Sequence, residues 1–303
     1  MASSSPSRNL SSVDHILRTT ASPTQAGDWA LVLAAASIEH RVDQHDGHFA
    51  LVVRADDAAA AEQALAGFDE EGAPEQQPPA PDQGWSPLGL ICAIGFFAML
   101  LVTGTRERGS VWFAAGSASA DLIMRGAWWR AVTALTLHAD VWHVVGNAVA
   151  SLVFISAIGR WLGGGLGALL ILVSATAGNL LTALRHQTNH DSVGASTATF
   201  ASLGLIAGLQ VARRMRLRTR PGYAWVPIGA GLGLFAMLGV AAGSDYWAHL
   251  LGLGFGVLFG VGWAIAQLKR GWKAPGYVVQ ALLGAIALGA VVGSWLLAFR
   301  HLR

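Results

Sequence analysis

The most constraining feature of this sequence is a series of seven apolar stretches that begins after residue 85. Each approaches the roughly 20 residues that a helix needs to cross the hydrocarbon core of a bilayer. The stretches cover residues 86–103, 142–160, 165–184, 194–212, 224–242, 246–267 and 276–299. Because a bilayer holds no water to satisfy exposed backbone groups, the pattern predicts an all-α polytopic membrane protein with seven spans.

The composition agrees with packed membrane helices. Of 303 residues, 53% are hydrophobic and only 13% are charged, whereas soluble domains usually carry about 25% charged residues. The 37 glycines and 12 tryptophans are typical of close helix contacts and of membrane interfaces. A net charge of +2 gives no indication of a nucleic-acid partner, and the single cysteine, Cys92, excludes an intramolecular disulfide.

The chain before the first stretch predicts a separate domain and a linker. Residues 1–69 predict a small cytoplasmic α+β domain with a helix, a β-hairpin and a second helix. Residues 70–85 are acidic and Pro-rich, which is typical of a linker. We expect no metal site in the hairpin, because its histidines lack fixed ligand spacing. They are His40, His45 and His48.

The distribution of positive charge predicts the orientation in the membrane. Five arginines lie between Arg213 and Arg220, after the fourth stretch, and QLKRGWK follows the sixth. Both loops should be cytoplasmic by the positive-inside rule. The first 25 residues lack the apolar core of a secretory signal, so a cytoplasmic N-terminus is expected. Counting spans from a cytoplasmic N-terminus also places both loops in the cytoplasm. The excess of arginine over lysine indicates a bacterial source, and hence the bacterial inner membrane.

Polar side chains inside the second stretch point to function. His143, Asn147 and Ser151 lie four residues apart and share one helical face, with His138 just before the stretch. Polar groups within a membrane are costly and by default indicate a functional site. The alternative is that they form structural hydrogen bonds between helices.

A serine and a histidine lie near the starts of the fourth and sixth stretches. Both stretches enter from the outer side, so Ser196 and His249 should lie at a similar depth. Glycines follow each of them on the same face, which predicts close packing of the two helices. A serine beside a histidine is the minimal machinery for nucleophilic acyl transfer. The alternative is that Ser196 bonds its own backbone and His249 is structural.

The two motifs around these residues resemble those of the rhomboid family of intramembrane serine proteases. GAS at 194–196 resembles the nucleophile motif GxSG, and AHLLG at 248–252 resembles the AHxxG motif that carries the base. Phe200, four residues after the serine, matches an aromatic position that in the family packs against the catalytic histidine.

Two further motifs extend the resemblance over residues 86–270. His138, His143 and Asn147 have the family's HxxxxHxxxN spacing. Trp129 and Arg130 resemble the WR motif of the first outer loop. This loop is not apolar enough to span the membrane and not polar enough for an ordinary solvent-exposed loop. Its paired tryptophans predict a structure that lies in the membrane interface.

The resemblance implies a rhomboid-like core of six helices over residues 86–270, with an added seventh span and the C-terminus over residues 271–303. It implies Ser196 as nucleophile and His249 as general base, without a catalytic aspartate. Asp245, one turn before the histidine, is predicted to cap the sixth helix.

The resemblance also implies an oxyanion hole and a class of substrate. Asn147 and His143 would stabilise the oxyanion together with the Ser196 N–H. No metal or cofactor is implied, and the expected substrates are transmembrane proteins cut in or near a span within the lipid bilayer. Supporting roles fall to His138, Gly194, Phe200, Gly252, Trp129 and Arg130.

One position departs from the family pattern, and two other functions remain open. Thr197 replaces the usual glycine after the nucleophile, and its β-branch is expected to crowd the oxyanion hole or stiffen the turn. Restoring glycine there should therefore retain or raise activity. The first rival function is an inactive relative that escorts membrane proteins. The second is a small transporter, although no predicted span holds an interior Asp or Glu.

Overall fold

The computed structural model describes residues 14–72, 84–106, 110–216, 225–239, 245–270 and 274–302. The chain forms two compact units, Met1–Gln77 and Pro78–Arg303. Most of the predicted Pro-rich linker, and the arginine-rich loop beyond Arg216, lie outside the described residues.

The first unit is a small α+β domain around a three-stranded antiparallel sheet. Its strands β1 (Asp14–Thr20), β2 (His40–His45) and β3 (His48–Arg54) pair in the order β1-β3-β2, so β3 is central. Residues of β3 that face the helices join one apolar cluster: Trp29, Leu33, Leu51, Val53, Ala61 and Leu65. The elements are β1 (Asp14–Thr20), α1 (Pro23–Ala35), β2 (His40–His45), β3 (His48–Arg54), a 3-10 turn (Ala55–Asp57) and α2 (Ala58–Gly72). Strand β1 precedes the helix–hairpin–helix order that the sequence predicts.

The second unit begins with one apolar helix and a run of short elements. The first apolar stretch forms α3 (Leu88–Thr103). The connection between the first and second stretches folds into short helices that do not span. Arg130 holds them together by donating to Ser117 O at 3.0 Å and Ala114 O at 2.7 Å. These elements are α4 (Val111–Gly116), β4 (Ala118–Ser119), α5 (Ala120–Met124), α6 (Arg130–Thr133) and a 3-10 turn (Ala134–Thr136).

The remaining apolar stretches are also helical. The second stretch is α7 (Val141–Ala150), continued through a π-helical turn (Ser151–Ile155) into α8 (Ser156–Leu162). The two-residue strand β5 (Asp191–Ser192) pairs with β4 just before the fourth stretch. The others are α9 (Gly164–His186), α10 (Ser196–Arg216), α11 (Val226–Leu238), α12 (Tyr246–Arg270) and α13 (Tyr277–Arg300).

Length and hydropathy single out four membrane-spanning segments among the described residues. They are Val141–Leu162, Gly164–His186, Tyr246–Gln267 and Tyr277–Arg300. Two other apolar helices, Leu88–Thr103 and Val226–Met237, are shorter. The chain is therefore a mostly helical integral membrane protein, and these criteria account for four of the seven predicted crossings.

Glycines bring α10 and α12 into backbone contact. A Cβ atom added at Gly204 or Gly208 would lie within 2.4 Å of a carbonyl oxygen of α12. A Cβ at Gly256 or Gly260 would lie within 2.6 Å of a carbonyl oxygen of α10. Glycines on both helices thus permit the close approach of their backbones, which confirms the predicted close packing of the two helices.

Candidate active site

Ser196 and His249 lie in hydrogen-bond contact. Ser196 is the first residue of α10, and His249 lies in the first turn of α12. Their Oγ and Nε2 atoms are 2.7 Å apart. The structure thus brings together two side chains that are 53 positions apart in the sequence.

The other nitrogen of His249 fixes the tautomer of its ring. Nδ1 lies 2.9 Å from the carbonyl oxygen of Gly239, which can only accept, so Nδ1 carries the proton. Nε2 of the neutral ring is then free to accept the hydroxyl proton of Ser196. Phe200 stacks on the imidazole with ring centroids 4.7 Å apart, which restricts its rotation.

Asp245 is engaged elsewhere and makes no triad with His249. Its Oδ1 accepts from the N–H of Ala248 at 3.1 Å, which is the helix-capping contact that the sequence predicts. Its Oδ2 lies 2.8 Å from Nε2 of His190.

His143 presents a donor to the space beside Ser196. Asp140 caps α7 by accepting from the His143 N–H at 2.9 Å, which fixes the start of the helix. The Ala139 N–H donates to His143 Nδ1 over 3.5 Å, so the ring proton lies on Nε2. A Cβ atom on Gly194 would lie 2.5 Å from that nitrogen and 3.5 Å from Ser196 Oγ. Gly194 has φ of +130°, so both its backbone and its surroundings require glycine.

Asn147 and the backbone of Ser196 supply two further donors. Asn147 is only 5% exposed, and its Nδ2 has no hydrogen-bond partner among the described residues. As the first residue of α10, Ser196 has an N–H without an intrahelical acceptor. The positive end of the helix also favours negative charge at this point.

A cavity of about 800 Å³ connects these groups. Ser196, His249, His143 and Asn147 all line it. Other parts of its wall are apolar, among them Trp142, Ala150, Phe154, Leu203 and Leu234. The arrangement can therefore accept an extended apolar segment and present a carbonyl to a nucleophile, a base and several donors.

The remaining predicted residues lie outside the cavity wall. His138 is buried and packs on Phe96 and His143, and burial lowers its pKa to about 4, so it is neutral near pH 7. Trp129 contacts His301, and Arg130 holds together the short helices that precede α7. Gly252 leaves room for the start of α10, because a Cβ there would lie 2.7 Å from the Thr197 carbonyl oxygen and 3.0 Å from the Thr197 methyl carbon.

The side chain of Thr197 contacts α9 and α12 rather than the predicted oxyanion donors. Its Oγ1 donates to Oδ1 of Asn179 at 3.1 Å, and Asn179 Nδ2 in turn donates to Ala131 O at 2.9 Å. Its methyl group packs toward Gly178 and Gly252. The predicted crowding of the oxyanion hole is therefore absent from the described geometry, and Thr197 instead anchors the first turn of α10 to α9.

The sequence was compared with a family model and with known proteins. Residues 125–266 match the model of the Rhomboid domain. This part of the second unit is therefore similar to a Rhomboid domain. It is 28% identical over 211 residues to "Rhomboid protease GluP" of Bacillus subtilis (strain 168), covering 69% of this chain and 39% of that protein.

A second relative matches a shorter region. "Putative rhomboid protease YdcA" of the same organism is 32% identical over 83 residues, which cover 27% of this chain and 42% of that protein. This chain thus aligns with about two fifths of the length of each of these relatives.

Sequence reasoning missed three groups at the site. The Gly239 carbonyl and the Ala139 N–H are backbone atoms, which no residue type reveals. His190 belongs to no motif, although its ring lines the cavity. The sequence feature that could have indicated His190 was its position shortly before Ser196.

Proposed function

We propose that this protein is an intramembrane serine endopeptidase that cleaves peptide bonds in or near transmembrane segments of other membrane proteins. The observation that carries the proposal is the 2.7 Å contact between Ser196 Oγ and His249 Nε2, with Nδ1 held by Gly239 O. The match of residues 125–266 to the Rhomboid domain and the apolar cavity support the same chemistry.

The reaction follows from the positions of the protons. His249 Nε2 takes the hydroxyl proton as Ser196 Oγ attacks the substrate carbonyl, and the imidazolium that forms keeps its hydrogen bond to Gly239 O. His249 then gives the proton to the leaving amine, which leaves an acyl-enzyme. Water attacks the ester, His249 accepts its proton, and the return of that proton to Ser196 Oγ releases the carboxylic acid.

Three donors stabilise the oxyanion in this scheme: the Ser196 N–H, Asn147 Nδ2 and His143 Nε2. Such donors are already oriented before charge develops, so they strengthen in the transition state at little reorganisation cost. Asn147 Nδ2 fits the role well, because no described residue uses it in the resting site.

The full membrane arrangement is part of the proposal. Six spans would form the protease core over residues 86–270, and α13 would be a seventh. The N-terminus and the loop around Arg213–Arg220 would face the cytoplasm of a bacterial inner membrane, while Asp245 would face outside. Reporter fusions in these loops test the topology, and a cytoplasmic Asp245 end would contradict it.

Labelling with a fluorophosphonate tests the chemistry directly. The purified wild-type protein should form a covalent adduct at Ser196 and cleave a model transmembrane substrate in proteoliposomes. Ser196→Ala and His249→Ala should each abolish both, and the double variant should be no worse, because residues acting as a unit are non-additive. Cleavage by Ser196→Ala equal to wild type would refute the mechanism.

A further inference from the structure

The loop that carries the nucleophile is attached on one side to the first outer loop. This nucleophile loop comprises residues 187–195, between α9 and α10. Ala120 N donates to His190 O, and Gly194 N donates to Ala134 O, each at 2.9 Å. Arg106 forms an ion pair with Asp191 at 2.8 Å. All three contacts fix the loop that precedes Ser196, but none reaches the helix that carries His249.

On the other side the nucleophile loop contacts the start of α12 through one carboxylate. His190 Nε2 lies 2.8 Å from Asp245 Oδ2, and the Ser192 side chain also hydrogen-bonds this carboxylate. The other oxygen of Asp245 caps α12 through Ala248 N, and the Asp245 carbonyl accepts from the His249 N–H at 3.1 Å. One residue thus contacts the nucleophile loop and sets the first turn of the helix that carries the base.

We propose that His190 and Asp245 form a clamp that holds the nucleophile loop against the start of α12, so that both are positioning residues for the Ser196–His249 dyad. The inference rests on the proposed function and deepens it. The 2.7 Å contact of the dyad joins two separate helices, so its length depends on what joins their ends. The clamp is such a connection, and both its members line the cavity.

The charge on the clamp depends on pH. The hydrogen bond to Asp245 raises the pKa of His190 above its ordinary value of 6.5, against the effect of burial. Burial alone would raise the pKa of Asp245, but hydrogen bonds from His190 and Ala248 bring it below 3.8. The ion pair is therefore complete below pH 6.5 and lost as pH rises through the raised pKa of His190. On the acid side it is lost only below pH 3.8.

Other charged groups around His190 act on the same equilibrium. His186, from the end of α9, stacks on His190 with ring centroids 4.1 Å apart, and a charge there would oppose one on His190. Asp191 adjoins His190 and is itself paired with Arg106. Arg185 lies over the ring of Trp247, 5.2 Å from its centroid.

Two conservative variants of the full-length protein test the clamp. His190→Gln keeps a donor but cannot titrate, and Asp245→Asn keeps a good helix cap without the charge. We expect kcat for a transmembrane substrate to fall about 10- to 100-fold at pH 6–7 in each, with unchanged KM. The double variant should be no worse than either single variant. Asp121→Asn, which removes an exposed ion pair with Arg125 away from the cavity wall, is the matched control and should keep the wild-type kcat at pH 7.

The pH profile separates positioning from a merely structural role. Wild-type kcat should fall on the alkaline side as His190 loses its proton, and this fall should be missing in His190→Gln. An unchanged kcat and an unchanged alkaline fall in His190→Gln would overturn the proposal. A higher KM at constant kcat would also overturn it, because the pair would then be a substrate contact.

Thermal stability tests the clamp without any measurement of enzyme activity. The Tm of the wild type should exceed that of His190→Gln at pH 6, and the difference should vanish at pH 9. Absence of this difference would refute the clamp whatever the enzyme does. Failure of the wild type to label or cleave at any pH would instead refute the proposed function.

Discussion

At the scale of single residues, Asn147 is a buried amide with an unused donor beside the nucleophile. Asn147→Ala should lower kcat about 10²- to 10³-fold, on the scale usual for one oxyanion donor. KM should change little, because the donor matters mainly once charge develops. Steady-state cleavage in detergent measures both constants. Ser151→Ala is a matched control, since Ser151 is equally buried on the same helical face but lies outside the cavity wall. An undiminished kcat in Asn147→Ala would remove Asn147 from the oxyanion hole.

The contacts of Thr197 contradict the expectation that replacing it with glycine retains or raises activity. Glycine there would leave Asn179 Oδ1 without its donor and open space beside Gly178 and Gly252. Thr197→Gly should therefore destabilise the protein by about 2–3 kcal/mol and lower activity rather than raise it. Thr197→Ser keeps the hydroxyl and should lose less. Thermal unfolding and cleavage rates of the two variants measure this, and higher activity in the glycine variant would restore the first expectation.

Residues of this site could be predicted from the sequence where the residue type and the spacing between residues indicate the chemistry. For Ser196 and His249, helix starts and glycine spacing predicted a shared depth, and the resemblance of the GAS and AHLLG motifs to the rhomboid family supplied the assignment as a dyad. The tautomer of His249 depends on the Gly239 carbonyl, and every residue has such a carbonyl. The direction of the Thr197 side chain depends on the packing of α9 against α10, which a local motif does not contain.

At the scale of secondary-structure elements, α13 is joined to the rest of the unit by polar contacts near both ends. Near its start, Gln280 Nε2 donates to Leu162 O at 2.7 Å, and Gln280 Oε1 accepts from Leu166 N at 2.9 Å. Near its end, Trp295 Nε1 donates to Thr136 Oγ1 at 3.1 Å. Gln280 makes both contacts near the start of this largely apolar helix.

Gln280→Leu should destabilise the protein without altering the chemistry. The change leaves two backbone groups at the turn between α8 and α9 without their partner, a cost of about 1–3 kcal/mol. A lower Tm with unchanged kcat below the unfolding transition is expected. Tyr277→Ala, one turn earlier and 96% exposed, serves as the control and should leave Tm nearly unchanged. Equal Tm values for Gln280→Leu and the wild type would show that α13 is held by apolar packing alone.

At the scale of the whole molecule, the two units differ in what they contribute. Each has its own apolar cluster, and every residue assigned to the dyad, the oxyanion hole and the clamp belongs to the second unit. The hydropathy pattern predicted this division, because one part of the chain is long and apolar and the other is short and mixed. Strand β1 was not predicted from the sequence, because its residues alternate only weakly between apolar and polar.

Removal of the first unit should leave the chemistry intact. A chain that begins at Gln83 keeps every catalytic and positioning residue, together with the core that holds α10 against α12. We expect an unchanged kcat/KM for a model transmembrane substrate in detergent, and unchanged fluorophosphonate labelling at Ser196. The same truncation combined with Ser196→Ala gives the background of the assay. Far-UV circular dichroism and size-exclusion elution show whether the shortened chain is folded. If a folded, monodisperse shortened chain neither labelled nor cleaved, the first unit would be required for activity, and the assignment of all catalytic function to the second unit would be wrong.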